Sequence, residues 1–146
     1  MILYLDTSSL IKLYVTEQGT PEVEGLAIDA SLVCTSGVAY PEARSALARL
    51  CREGTLSTEA HAQAKADLDR DWPHFLAIDV TAEVWQIAGD LAEEHALRGF
   101  DSIHLASFLH LVEADFGEPA RFSSFDDQLN NALRSEVEAA LLREEE

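Results

Sequence analysis

Short apolar runs, spaced apart by helix-patterned segments, restrict the folds open to this chain more than any other feature. Met1-Ile2-Leu3-Tyr4-Leu5 is unbroken apolar sequence, followed by the turn-prone Asp6-Thr7-Ser8-Ser9. A run of that kind bounded by turn residues predicts a buried strand over 1–5. Leu10, Ile11, Leu13, Tyr14 and Val15 then predict a short helix ending near Gly19. Thr20 before Pro21 predicts a cap with proline in the first helical position, opening a helix to about Asp29. A strand over 32–36 follows, then a helix over about 39–53, where Ala43, Ala46, Leu47 and Leu50 recur at helical spacing and Gly54 is the stop. Ser57 or Thr58 caps a helix to about Trp72, which Pro73 ends. Residues 75–80 predict a short strand, and Thr81 caps a helix whose apolar face is Val84, Ile87, Ala88, Leu91 and Ala92, closed by Gly99. A helix over about 101–115, a strand over 120–125 and one or two helices over 127–143 complete the pattern. Strands separated by helices need crossover connections, so the expectation is an α/β fold with a mainly parallel sheet and helices on both faces.

The chain has 146 residues, and with no repeat, linker or low-complexity tract it is expected to form one domain over 1–146. That length can bury about 70% of the unfolded surface. The apolar start is too short for the hydrophobic region of a signal peptide and has no basic residue before it. No run approaches the roughly 18–20 apolar residues of a membrane span. Cys34 and Cys51 form no CxxC pair and sit in apolar patterns, which predicts buried free thiols in a cytosolic protein. The net charge of −17, from ten Lys and Arg against 27 Asp and Glu, argues on its own against a nucleic-acid partner, because such proteins usually carry a basic footprint. Most of the excess is dispersed, as in Glu22, Glu24, Asp67, Asp69, Asp71, Glu93, Glu94 and the terminal Glu144-Glu145-Glu146, and reads as solvated surface.

Four acids stand apart from that background. Asp6 ends the first strand, Glu42 lies just inside the helix after the second, Asp101 opens a helix, and Asp126 follows the last strand. In a parallel α/β sheet, strand ends and the helices that leave them share the edge where ligands bind. Were the four to converge, two charges about 5 Å apart would repel by about 3 kcal/mol at an effective dielectric of 20. Summed over six pairs, the repulsion rivals the ~5–15 kcal/mol stability of a whole domain. The cluster would have to take up protons, spread apart in solvent or hold a cation. Carboxylates with water suit Mg2+ or Mn2+, and a cation so held makes hydrolysis of a phosphoester the leading chemistry. Each acid also has a purely structural use. Asp6 and Asp101 are placed to cap helices, Glu42 to face solvent on an amphipathic helix, and Asp126 to form an Asx turn with Asp127. Spacing leaves both readings open.

The segment Tyr4-Leu5-Asp6-Thr7-Ser8-Ser9-Leu10-Ile11-Lys12-Leu13-Tyr14 resembles the opening of PIN-domain proteins, above all the VapC-type toxins. Residues 97–106, Leu-Arg-Gly-Phe-Asp-Ser-Ile-His-Leu-Ala, resemble the family's Asp followed by a small residue and an apolar helix. Residues 36–47 are similar to the segment that carries an acid on a helix, and Phe122-Ser123-Ser124-Phe125-Asp126 to the last motif, in which Thr is commoner than Ser124. The motifs occur in the family's order along essentially the whole chain. The resemblance implies a PIN-like three-layer α/β/α sandwich and a Mg2+- or Mn2+-dependent endoribonuclease that leaves a 5′-phosphate and a 3′-hydroxyl. It also implies the toxin role in a toxin–antitoxin pair, a cognate antitoxin protein as partner, a homodimer and a cytoplasmic location. On it, Asp6, Glu42, Asp101 and Asp126 are both the catalytic acids and the metal ligands, with Glu42 acting partly through water.

Two other classes compete. An Asp-nucleophile phosphatase would need a second Asp two residues after Asp6, where Ser8 stands. A non-catalytic PIN-like module for protein binding would be expected to have lost at least one of the four acids. Among the neighbours, Ser8 reads as a helix cap, and Lys12, Arg44, Arg98 and Arg121 as surface or structural ion pairs. His104 reads as a packed helix histidine, and Trp72, Trp85 and Phe100 as core or interface aromatics.

Overall fold

The computed structural model describes residues 1–144; Glu145 and Glu146, the end of the tail expected to be solvated, lie outside the described residues. Four strands form one sheet, β1 (Ile2–Leu5), β2 (Leu32–Ser36), β3 (Leu76–Ile78) and β4 (Ala120–Ser123), in the order β3-β2-β1-β4. Every pairing is parallel: Leu3 sits opposite Val33 and Arg121, and Thr35 opposite Ala77. Among the described residues seven α-helices cover the sheet: α1 (Thr7–Leu10), α2 (Thr20–Asp29), α3 (Ala39–Arg52), α4 (Thr58–Asp71), α5 (Ala82–His95), α6 (Gly99–Glu113) and α7 (Asp127–Glu144). The result is the expected three-layer α/β/α sandwich. No helix among the described residues is long and apolar enough to cross a membrane.

β1 explains why its sequence is apolar without interruption. It is paired on both edges and covered on both faces, so all four residues are buried. Side chains alternate along a strand. Leu3 and Leu5 therefore enter the core formed with Leu10, Val23, Leu47 and Leu68 of α1 to α4. Ile2 and Tyr4 face the opposite way, against Phe108 and Leu111 of α6. A fully buried leucine contributes about 1.5–3 kcal/mol, so packing rather than propensity holds α3 and α4 through Leu47 and Leu68.

Several boundaries differ from the sequence expectation. Thr7-Ser8-Ser9 is helical, because Asp6 caps α1 by accepting the Ser9 amide, and α1 passes into a 3-10 turn over Ile11–Leu13. Thr20 is not a cap: Gly19 takes that place at φ +91°, and Thr20 turns back to accept the Glu17 amide and donate to the Val15 carbonyl. Gly99 does not close α5. Ala96 adopts the left-handed conformation after His95, and its carbonyl accepts from Gln128 of α7 at 2.7 Å. Gly99 is then free to begin α6, which puts Asp101 in the first turn of that helix and not at its cap. The tail is one helix, and the last strand stops at Ser123. Cys34 is fully buried, whereas Cys51 is only half-buried.

Candidate active site

The parallel sheet brings the carboxyl ends of β1, β2 and β4 to one edge, and the four acids follow. Asp6, Glu42, Asp101 and Asp126 all line one cavity of about 350 Å³, which Glu17, Arg49, Arg98 and His104 also border.

Asp6 is the buried member, 4% exposed. Its Oδ1 accepts from the Ser8 hydroxyl at 2.7 Å and the Ser9 amide at 2.9 Å, while Oδ2 accepts from the Ser124 hydroxyl at 2.5 Å. Burial raises its pKa, against the opposing pull of those three hydrogen bonds. The role read for Ser8 is corrected: Asp6 is the cap, and Ser8 bonds Asp6 and accepts the Phe125 amide at 3.1 Å. Ser124 joins two of the acids, since its oxygen also accepts the Asp126 amide at 3.0 Å. A hydroxyl there is therefore useful whether serine or threonine carries it. Asp126 caps α7 through the Leu129 amide at 2.8 Å. Asp6 and Asp126 are thus structural caps and cavity-lining acids at once.

Glu42 stands in the first turn of α3. Its Oε1 accepts from the Thr7 hydroxyl at 2.7 Å and lies 3.0 Å from His104 Nε2. The other ring nitrogen, Nδ1, lies 2.9 Å from the Tyr4 hydroxyl. Burial drives the Tyr4 pKa far up, so the hydroxyl beside Nδ1 stays protonated. The Glu42 carboxylate can only accept, so Nε2 donates toward it, with Thr7 Oγ1 also 3.0 Å away. Burial works to raise the Glu42 pKa, but the His104 and Thr7 hydrogen bonds outweigh it and leave the carboxyl below its ordinary value. His104 is therefore a packed helix histidine that also orients an acid.

At the open side, Arg98 Nε donates to Asp101 Oδ2 at 3.0 Å, and its Nη2 lies 3.9 Å from Asp126 Oδ2. The four acids share a cavity without forming a tight cage. Among the described residues, the one group of three or more ligand atoms all within 4.8 Å of one another is Glu94, His95 and Glu136, on α5 and α7. A wider arrangement fits a cation that keeps part of its water, as Mg2+ does. The donor set fits a hard cation as well: carboxylates and hydroxyls, with both nitrogens of the nearest imidazole already engaged. Of the other basic candidates, Lys12 pairs with Glu17 at 2.8 Å, Arg44 bonds the Tyr40 hydroxyl, and Arg121 is exposed on β4. Trp72 packs between Tyr40 and Phe75, while Trp85 and Phe100 are exposed. Arg49 and Glu17 were not singled out by the sequence, because exposed charges on a helix or loop carry no local signal of what they border.

Residues 3–132 match the PIN domain family. This chain is a PIN-domain protein. Its relatives include two from Mycobacterium tuberculosis strains, Ribonuclease VapC45 and Ribonuclease VapC49. Each is 43% identical over 112 residues, which span 74% of this chain and 75% of the relative. The chain is thus a PIN protein of the VapC type. The fold is shared with the crystal structure of Mycobacterium tuberculosis VapC20, a sarcin-ricin loop cleaving toxin, at TM-score 0.64 and 20% identity over 89% of this chain and 94% of that one. It is also shared with VapBC2 from Rickettsia felis, solved with a promoter DNA fragment, at TM-score 0.55 and 13% identity over 85% of this chain and 100% of that one. PIN-domain nucleases depend in general on divalent metal, in keeping with the oxygen-rich donor set. The phosphatase alternative loses ground, because the position its second acid would need is Ser8, already bonded to Asp6.

Proposed function

We propose that this PIN protein is the endoribonuclease toxin of a toxin–antitoxin pair, working in the cytoplasm as one PIN domain over 1–146. It would hydrolyse RNA phosphodiester bonds to a 5′-phosphate and a 3′-hydroxyl. The observation that carries the reading is the cavity of about 350 Å³ lined by Asp6, Glu42, Asp101 and Asp126 in a chain of VapC type. Asp6, Asp101 and Asp126 would hold Mg2+ or Mn2+, with Glu42 acting partly through water. Such a cation offsets charge on the phosphate and lowers the pKa of water for in-line attack. The chain's own contribution is orientation. Ser8, Ser9 and Ser124 fix both oxygens of Asp6, and Thr7 with His104 holds Oε1 of Glu42, leaving its second oxygen for a ligand.

The relatives' names and the VapBC2 complex support a cognate antitoxin as partner, and a homodimer is the expected assembly. The acidic surface, at −17, suits an antitoxin with a basic segment. Wild type and Asp6→Asn, each incubated with structured and unstructured RNA in Mg2+, Mn2+ or chelator, test the reading. Cleavage is expected only for wild type with metal, and the variant should lose at least about a hundredfold in rate. Equal cleavage by the variant removes the role of Asp6, and no cleavage of any RNA by wild type overturns the nuclease reading.

A further inference from the structure

The acid cavity does not stand alone. A second cavity, of about 420 Å³, is bordered by Glu42, Arg98, Phe100 and Asp101, and a third, also about 420 Å³, by Glu42, Ser45, Arg49 and Phe100. Glu42 borders all three, Arg98 and Asp101 join the second to the acids, and Arg49 joins the third. Together they make a trough between the start of α3 and the start of α6. Phe100 borders both outer cavities and not the acid cavity.

Phe100 is 56% exposed although it sits one residue from an acid of the site. A singly exposed phenylalanine is ordinary; what marks Phe100 is its place beside Asp101, on two cavities that adjoin the acids. Its surroundings differ from those of an apolar docking surface. The larger apolar face lies elsewhere, between α6 and α7, where Val112, Val137 and Leu141 are exposed around a separate cavity. Phe100 instead borders one cavity with Arg98 and another with Arg49. Both side chains are largely exposed, and Arg49 has only a long contact of 3.9 Å to Glu53. The two outer cavities are bordered by two arginines and two acids, Glu42 and Asp101, whereas the whole chain has ten basic residues against 27 acids. An exposed ring with an arginine on each adjoining cavity offers what a splayed nucleotide needs: a face for the base and positive charge for nearby phosphates.

We propose that Phe100 is a base-stacking platform for the nucleotide next to the cleaved phosphate, with Arg98 and Arg49 holding the flanking phosphates of a single-stranded RNA. This inference rests on the nuclease reading and adds how the substrate is gripped. Two arginines and one ring would act on the RNA at short range, while the acids dispersed over the rest of the surface are screened beyond about 10 Å at ordinary salt; the acids that border the trough are the ones a cation would offset.

The test measures binding apart from cleavage. In the Asp6→Asn background with Mg2+, anisotropy of a labelled single-stranded 12-nucleotide RNA is compared for Phe100, Phe100→Leu and Phe100→Trp. Phe100→Leu should weaken binding by about tenfold to a hundredfold, and Phe100→Trp should stay within about threefold of the parent. An RNA lacking one base at the stacked position should bind Phe100→Leu and the parent alike. Arg49→Ala and Arg98→Ala should each lower the slope of log affinity against log salt by about one. With Asp6 intact, Phe100→Leu should raise KM and leave kcat within a few-fold. Unchanged affinity in Phe100→Leu overturns the inference. Equal losses in Leu and Trp also overturn it, since a shape requirement would then replace stacking. Wild type that cleaves RNA while either result holds keeps the nuclease reading; wild type that cleaves none removes that reading, with the anisotropy still judging Phe100 on its own.

Discussion

The two ends of the acid cavity are held in different ways. At one end, both oxygens of Asp6 are occupied by a backbone amide and two hydroxyls, and the residue is almost fully buried. Glu42 is likewise tied, through His104, to the buried Tyr4 hydroxyl. At the other end, Asp101 and Asp126 meet an exposed arginine at 3.0 and 3.9 Å, and exposed pairs of that kind are weak and easily rearranged. The difference separates a preset anchor, built into the core, from an adjustable rim held by one exposed arginine.

Substitutions at each end can break or sharpen that contrast. His104→Ala should have the largest effect, a loss of about 3 kcal/mol, because it opens a cavity and leaves the buried Tyr4 hydroxyl without its partner. Urea unfolding measures it, and a loss under about 1 kcal/mol would mean that the buried relay is not what holds Glu42. Ser124→Ala should cost about 1–2 kcal/mol by thermal unfolding without divalent ions, since Asp6 Oδ2 and the Asp126 amide lose a shared partner. Ser124→Thr, which keeps the hydroxyl, should recover most of that. Arg98→Ala should do least to stability, leaving the unfolding midpoint at the wild-type value. It should nevertheless tighten Mn2+ binding by about threefold to tenfold in calorimetric titration, because a competing positive charge is gone. A larger stability loss in Arg98→Ala than in Ser124→Ala would invert the contrast.

The same division decides what could be read from sequence. The strands were legible because β1 is buried on both faces and its apolar run has no gap. The acids were legible because strand ends and helix starts are marked locally by turn and cap residues. Their neighbours were not, since each depends on a distant part of the chain. His104 finds Tyr4 a hundred positions away, and a histidine on an apolar helix looks the same with or without that partner. Gly99 reads as a helix stop because glycine tolerates the left-handed conformation. Ala96 took that conformation instead, with Gln128 of α7 bonding its carbonyl and Leu97 buried behind it. One short-range rule, the preference of helix ends for glycine, thus gave way to a tertiary contact.

Parallel pairing of β1 with β4 has a consequence for synthesis. The hydroxyl that grips Asp6 is made 118 positions after it, and the strand that completes the edge begins at Ala120. A growing chain on the ribosome holds its first carboxylate long before the opposite wall of the pocket exists. Domains fold as units once their distant segments meet, so whatever this pocket catalyses is withheld until β4 and the Asp126 that follows it have been made. The order of the strands acts as a delay, and the cell would meet a harmful activity only from chains extended past that point.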